Sequence, residues 1–165
     1  MVGTEPAAPM PVDAARVKGS RVLIVRSPYY QAIAQSLTRG ATEVLEKHGI
    51  GYDIVDVPGA LEIPTALAIA LDAAAAKKKP YDGAVALGCV IRGDTIHFEI
   101  VSEQSARGVM DVSIARKIPI GNGILTVNNE GQANVRAGLD EGDKGGEAAR
   151  AMLTLVRLRR AVSKK

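Results

Sequence analysis

Residues 83–91 read GAVALGCVI, a nearly continuous apolar run. A run of this length and hydropathy is that of a central parallel strand buried on both faces, because a half-exposed strand would alternate apolar and polar residues. Such a strand needs neighbouring strands at its sides and helices above and below it. The flanking sequence supplies both. Upstream, Val22–Val25 is a short β-branched run. It is followed by 31–47, where Ile33, Leu37, Ala41, Val44 and Leu45 recur at helical spacing, Lys47 and His48 fall in the last turn, and Gly49 ends the helix. Residues 52–57 repeat the strand and 62–79, rich in Ala and Leu, repeat the helix, with Pro64 suited to its first turn. Downstream, 98–117 reads as a helix, 118–127 as a fourth strand, 132–138 as a short helix and 145–162 as a final one. This alternation predicts an α/β fold, an open parallel sheet with helices on both faces and right-handed crossovers.

Length and composition agree with a single domain. The chain has 165 residues, 47% of them hydrophobic and 24% charged, enough to bury roughly two-thirds of the unfolded surface. Residues 1–19 hold Pro6, Pro9 and Pro11 without a sustained period and read as a flexible or extended arm; residues 20–165 read as one domain. Of the net charge of +3, residues 157–165 carry +5, so the body is slightly acidic and the high isoelectric point describes a tail. With four Tyr, one Phe and no Trp to stack bases, this argues against a nucleic-acid partner. Cys89, alone, excludes an internal disulfide, and with His48 and His97 it offers no zinc-ligand spacing, so no metal is expected. No membrane span or secretory signal is evident, and the cytoplasm is the expected compartment.

In an open parallel sheet, ligands bind outside the carboxyl ends of the strands. Here those ends are chemically unusual: Ser27-Pro28-Tyr29-Tyr30 after the first, Val57-Pro58-Gly59-Ala60-Leu61-Glu62 after the second, Arg92-Gly93-Asp94-Thr95-Ile96-His97 after the third, Asn128-Asn129-Glu130 after the fourth. An aromatic pair, a carboxylate, a Gly-hydroxyl-His cluster and amides make the assortment a polar small-molecule site uses. Gly93 permits close backbone approach, and the following amides with the Thr95 hydroxyl can cradle an anion such as phosphate, with His97 placed to exchange protons with the group attached to it. The plainer reading, Thr95 capping a helix and His97 on its surface, stands beside it. Glu62 can accept from substrate hydroxyls or simply favour a helix N-terminus. Tyr29 can stack on a planar ring or cover the core edge. Arg136 and Lys144 suit phosphate contacts, or a solvated helix face. GLDEGDKG (138–145) and GNG (121–123) lack the context and spacing of a P-loop or a dinucleotide fingerprint.

Taken together, VPGALEIP (57–64), YDGAVALGCVIRGDTIHFEIV (81–101) and the segments GILT, QANVRAG and KGGEAA within 123–149 resemble the signature regions of the 6,7-dimethyl-8-ribityllumazine synthase family, in order and spacing, over about residues 21–160. The resemblance implies a flavodoxin-like three-layer sandwich with a four-stranded parallel sheet. It also implies a transferase that condenses 5-amino-6-(D-ribitylamino)uracil with 3,4-dihydroxy-2-butanone 4-phosphate, releasing phosphate and water, in the penultimate step of riboflavin biosynthesis and without a cofactor. On this resemblance His97 is the proton-transfer residue, and Arg136 with Asp94 and Thr95 forms the phosphate site. Tyr29 is the stacking aromatic. Ala60, Leu61 and Glu62 contact the ribityl chain, Cys89, Val90 and Ile91 present the backbone that reads the pyrimidine edge, and Asn122 and Lys144 are further substrate contacts. The family's sites lie between subunits of a homopentamer, or of an assembly of pentamers, with Asn122, Arg136 and Lys144 coming from the neighbour. Two departures, Pro28-Tyr29-Tyr30 where members commonly have R-F-N and Asn122 where many have a larger apolar residue, imply activity with altered affinity. The altered first loop also raises the alternative of a non-catalytic flavin or lumazine carrier on the same fold.

Overall fold

A computed structural model describes residue 8 and residues 11–163. The expectations attached to Pro6, Pro9, Lys164 and Lys165 lie outside these. The apolar run forms the central strand β3 (Gly83–Ile91), paired in parallel with β1 (Arg21–Arg26) on one side and β4 (Ile120–Val127) on the other; β2 (Gly51–Asp56) adds to β1, giving the order β2-β1-β3-β4. All pairs are parallel, as the alternation of strands and helices requires.

The two-residue period of each strand sorts its side chains between two cores. Val22 and Ile24 of β1, Val85 and Leu87 of β3, and Leu125 and Val127 of β4 face one layer of helices. That layer is α2 (Gln31–Lys47), α5 (Glu130–Ala137) and α6 (Lys144–Ser163). Leu23, Val25, Ala84 and Ala86 face the other, α3 (Ile63–Ala76) and α4 (His97–Arg116). The result is a three-layer α/β sandwich. Leu37, Leu45, Met152 and Leu153 are fully buried, each such side chain contributing about 1.5–3 kcal/mol of transfer free energy. Two glycines let α6 settle so closely: a Cβ on Gly145 would overlap the Leu37 carbonyl of α2, and one on Gly121 would overlap the Ala148 carbonyl of α6. Backbone carbonyls cannot swing aside as a flexible side chain can.

Three local differences from the sequence reading have physical reasons. The second helix, expected over 62–79, is a 3-10 turn at Ala60–Glu62 followed by α3, which stops at Ala76 because Lys78 turns into the left-handed region (φ 58°). β2 is exposed along nearly its whole length, the consequence of lying at the sheet edge. Within the segment expected as an arm, Ala14–Val17 forms one helical turn, α1, whose N-terminal amide at Ala15 is capped by the Asp13 carboxylate at 3.1 Å and whose Val17 is fully buried.

At the amino ends of the strands a charged network closes the sheet. The Arg21 amide donates to Asp82 (2.8 Å), its guanidinium donates to Asp53 (3.1 Å) and lies 4.2 Å over the Tyr81 ring, and Arg160 of α6 donates to the Arg16 and Lys18 carbonyls (3.1 and 2.9 Å). Among the described residues no helix is long and apolar enough to cross a membrane.

Candidate functional site

The strand order reverses between β1 and β3: the chain leaves β1 for β2 on one side, then returns to β3 on the other. Loops diverging at such a switch point leave a crevice at the carboxyl ends of the strands. A cavity of about 410 Å3 opens there.

Its floor is the end of β3. Pairing of β1 with β3 runs from Val22–Gly83 to Arg26–Leu87, and the Ser27 amide donates to the Leu87 carbonyl (2.9 Å). Beyond that point β3 continues to Ile91, held only by β4. Since backbone groups alternate sides along a strand, those of Cys89 and Ile91 point as Leu87 does, toward a place where β1 no longer runs. Among the described residues they have no backbone partner there, so they can meet a flat polar ligand edge. Cys89, Val90 and Ile91 all line the cavity. Burial pushes the Cys89 thiol up to about 11, which keeps it protonated near neutrality and unsuited to act as a nucleophile.

One wall comes from the β1–α2 loop. Tyr29 is 72% exposed and meets Tyr30 edge to face, the centroids 5.0 Å apart and the planes at 73°. Burial raises the Tyr30 phenol above its ordinary value, with Tyr29, Cys89 and Glu130 adding to the shift. Ser27, buried, donates its hydroxyl to the Pro58 carbonyl (3.0 Å), fastening this loop to the next.

A second wall is the β2–α3 loop. Pro58 and Gly59 turn the chain into the 3-10 segment, which the Glu62 amide closes onto the Gly59 carbonyl (3.2 Å). Ala60 is buried, whereas Leu61 and Glu62 are exposed. The Glu62 carboxylate lies over Gly59, where a Cβ would approach it to 3.0 Å. His97, the first residue of α4, completes the lining together with Val101, one helical turn on. The His97 amide donates to the Thr95 hydroxyl at 3.3 Å. The residue that precedes α4 is Ile96, which makes no side-chain cap, so this contact leaves both sequence readings of Thr95 standing.

Tyr29, Ala60, Leu61, Glu62, Cys89, Val90, Ile91 and His97 thus share one cavity. Asp94 and Thr95 are exposed in the adjacent β3–α4 loop but are not part of the lining. Asn122, Arg136 and Lys144 are not part of it either. Asn122 lies exposed on edge strand β4 and accepts from the Ile124 amide (3.0 Å); Arg136 projects from α5 and donates to the Gln132 carbonyl (3.2 Å); Lys144, opening α6, pairs with Glu147 (2.7 Å). Ser27, Tyr30, Pro58, Gly59 and Val101 line the cavity without having been expected as site residues. The available signals were their positions: directly after a strand for the first four, and four residues beyond His97 for Val101. Among the described residues no group of three His, Cys, Asp or Glu is placed to hold a metal ion.

In chemical terms this is an apolar slot with a backbone edge at its floor, a ring at its mouth, a carboxylate on one wall and an imidazole on another. It can bind a planar, hydroxylated heterocycle and exchange protons with it. Comparison with known proteins agrees. A family model described as 6,7-dimethyl-8-ribityllumazine synthase matches residues 19–160. Proteins named 6,7-dimethyl-8-ribityllumazine synthase from Afipia carboxidovorans and Nitrobacter hamburgensis are each 56% identical to the chain over 152 residues, covering 92% of it and 93% of the relative. One from Azorhizobium caulinodans is 57% identical over 144 residues, covering 87% and 89%.

Proposed function

The chain belongs to the 6,7-dimethyl-8-ribityllumazine synthase family, and from that premise we propose that it condenses 5-amino-6-(D-ribitylamino)uracil with 3,4-dihydroxy-2-butanone 4-phosphate. The observation that carries the reading is the single cavity joining Tyr29, Ala60–Glu62, the overhanging end of β3 and His97. Each feature meets one part of the first substrate. The unpaired backbone of Cys89 and Ile91 takes the pyrimidine edge, Tyr29 takes its face, and Glu62 accepts from ribityl hydroxyls.

The chemistry then follows from proton positions. The pyrimidine's primary amine attacks the ketone and water leaves as the imine forms; phosphate is eliminated to leave an enol that tautomerises to a second ketone, and the ribitylamino nitrogen attacks that ketone and closes the ring as a second water leaves. Every step moves a proton, and His97 at the cavity wall is the group placed to accept and return it. Asp94 and Thr95, beside His97 on an exposed loop, face the phosphate with Arg136. Much of the remaining acceleration comes from holding two reactants in one orientation.

Arg136, Lys144 and Asn122 stand apart from the cavity of their own chain, and the cavity is open. Both facts support a homopentamer in which a neighbour supplies these three residues. Exposed Ile69 on α3 and Ile100, Met110 and Ile114 on α4 give such an assembly apolar surface to cover. The unpaired Cys89 thiol fits a reducing cytoplasm.

The test is direct. Purified protein incubated with both substrates should release phosphate and form the fluorescent lumazine in equal amounts. Product no faster than in the protein-free mixture would overturn the reading.

A further inference from the structure

The β3–α4 loop holds Asp94, Thr95 and His97 within a few residues, yet its side chains have few anchors. Asp94, Thr95, Ile96 and His97 are all exposed, and Gly93 has open space around it. One side chain stands out against this. Arg92, the first residue after β3, makes three contacts at once. Its Nε donates to the Asn128 side-chain oxygen at 3.0 Å, its Nη1 donates to and pairs with Glu99, and its guanidinium carbon lies 4.3 Å over the Phe98 ring. The backbone joins in, since the Arg92 amide extends the β3–β4 ladder by donating to the Val127 carbonyl (2.9 Å).

The geometry of these contacts is specific. Arg92 and Glu99 bracket residues 93–98, so their ion pair closes a ring of chain around Asp94, Thr95 and His97. Asn128 lies between β4 and α5, next to Asn129, whose side chain caps α5. The same guanidinium therefore ties the ring to the β4–α5 connection of its own chain. An exposed ion pair alone stabilises a fold little. A planar guanidinium that satisfies a carboxylate, an amide oxygen and an aromatic face together fixes orientation, which an ammonium cannot reproduce. Glu99 is committed to the arrangement: the hydrogen bond from Arg92 holds its carboxyl below the ordinary carboxylate value. Its Oε2 is buried without a partner among the described residues.

We infer that Arg92 is a positioning residue for the phosphate-bearing substrate and for the proton-transfer imidazole, acting by cross-linking the two ends of the β3–α4 loop and anchoring it to the β4–α5 connection. The inference rests on the proposed function for what the loop does, and on the contacts alone for how it is held. The pyrimidine side of the cavity, formed by Tyr29, Ala60–Glu62 and the end of β3, lies outside the ring.

The experiment exploits that separation. In Arg92→Met the KM for the butanone phosphate should rise and kcat fall, each by about five- to tenfold, a loss in the range expected when reacting groups are misplaced by a fraction of an ångström. The KM for the pyrimidine should stay within about twofold. Arg92→Lys, which retains a charge for Glu99 but not the second donor or the flat face, should recover part of the loss. Asn128→Ala, which removes only the anchor to β4–α5, should shift the same two constants by less, and carries the test if Arg92→Met does not fold. Equal rises in both KM values, or no change in any constant beyond twofold, would overturn the inference. Hydrogen exchange at amides 93–99 and titration with inorganic phosphate read the tether without turnover. Faster exchange confined to the loop and weaker phosphate binding in Arg92→Met support it even if the wild-type protein makes no lumazine; unchanged exchange refutes it even if the wild-type protein is active.

Discussion

The two ends of the sheet are built on opposite plans. At the amino ends of the strands, polar groups are spent on one another: the Arg21 guanidinium on Asp53, the Arg21 backbone amide on Asp82, and Arg160 on Asp82 and the carbonyls that end α1. At the carboxyl ends, among the described residues, the carboxylates of Glu62 and Asp94 and the imidazole of His97 make no hydrogen bond within the chain. Groups satisfied internally hold a fold together, while groups left free are available to a ligand, and here the free ones gather at the carboxyl ends, beside internally satisfied pairs such as Arg26 with Asp56 and Arg92 with Glu99.

This contrast is open to attack from both sides. The largest effect should come from Gly121→Val near the amino end of β4, where the added side chain meets the Ala148 backbone. A loss of about 3 kcal/mol or more is expected, read as a lowered urea midpoint or as insoluble protein; a midpoint near wild type would show that α6 can retreat. At the other end, His97→Ala should lower kcat by about ten- to a hundredfold, less than a general acid–base group can contribute at most because the condensation also proceeds unaided. Its melting temperature should hardly move. Arg136→Ala should instead raise the KM for the phosphorylated substrate, and identical losses in both constants for both variants would contradict the division of roles. A smaller effect is expected from Arg160→Met, which removes two hydrogen bonds at the closed end. About 1 kcal/mol should be lost on denaturation, with kcat and both KM values intact; a change in turnover would mean that the two ends are coupled. Smallest, and of opposite sign, is Lys117→Gly. Lys117 ends α4 in the left-handed region (φ 52°), so glycine there should raise stability by up to about 1 kcal/mol without touching activity.

Acid should distinguish the same regions by another route. The Arg116 guanidinium beside Asp72 holds that carboxyl below its ordinary value. The stabilisation from this pair is present above the unfolded carboxylate range and is lost as pH falls through the lower folded value. Asp72→Asn should flatten the acid limb of the stability curve slightly. Cys89 has the reverse sign: its raised value costs stability only as pH climbs from the free-thiol range toward about 11.

The fold was legible because its strongest signals are local. The β3 run has no charge to break it, and the α2 spacing ends on Gly49, which adopts a positive φ (65°). Boundaries without a chemical marker were not legible. Nothing between Ala73 and Lys79 announces that α3 stops at Ala76, and four residues are too few to show the period of α1. The site divides the same way. Tyr29, Ala60–Glu62 and His97, on loops that follow strands, were expected at the cavity they line because a parallel sheet gathers strand ends whatever their sequence, whereas Ser27, Tyr30, Pro58 and Gly59 on the same loops carried no chemistry that singled them out. The overhang of β3 beyond β1 was invisible, since it depends on where pairing ceases. Nor could spacing reveal that Arg136, Lys144 and Asn122 stand clear of the cavity formed by their own chain.

The edge-to-face pair at the cavity mouth also gives the protein a built-in optical reporter. The chain has no tryptophan and only four tyrosines, so its ultraviolet emission is tyrosine emission, and Tyr29 sits where an absorbing heterocycle would come to rest. Dimming of that emission on titration with the lumazine, diminished in Tyr29→Leu, would report occupied cavities above the steady emission of the tyrosines that lie elsewhere.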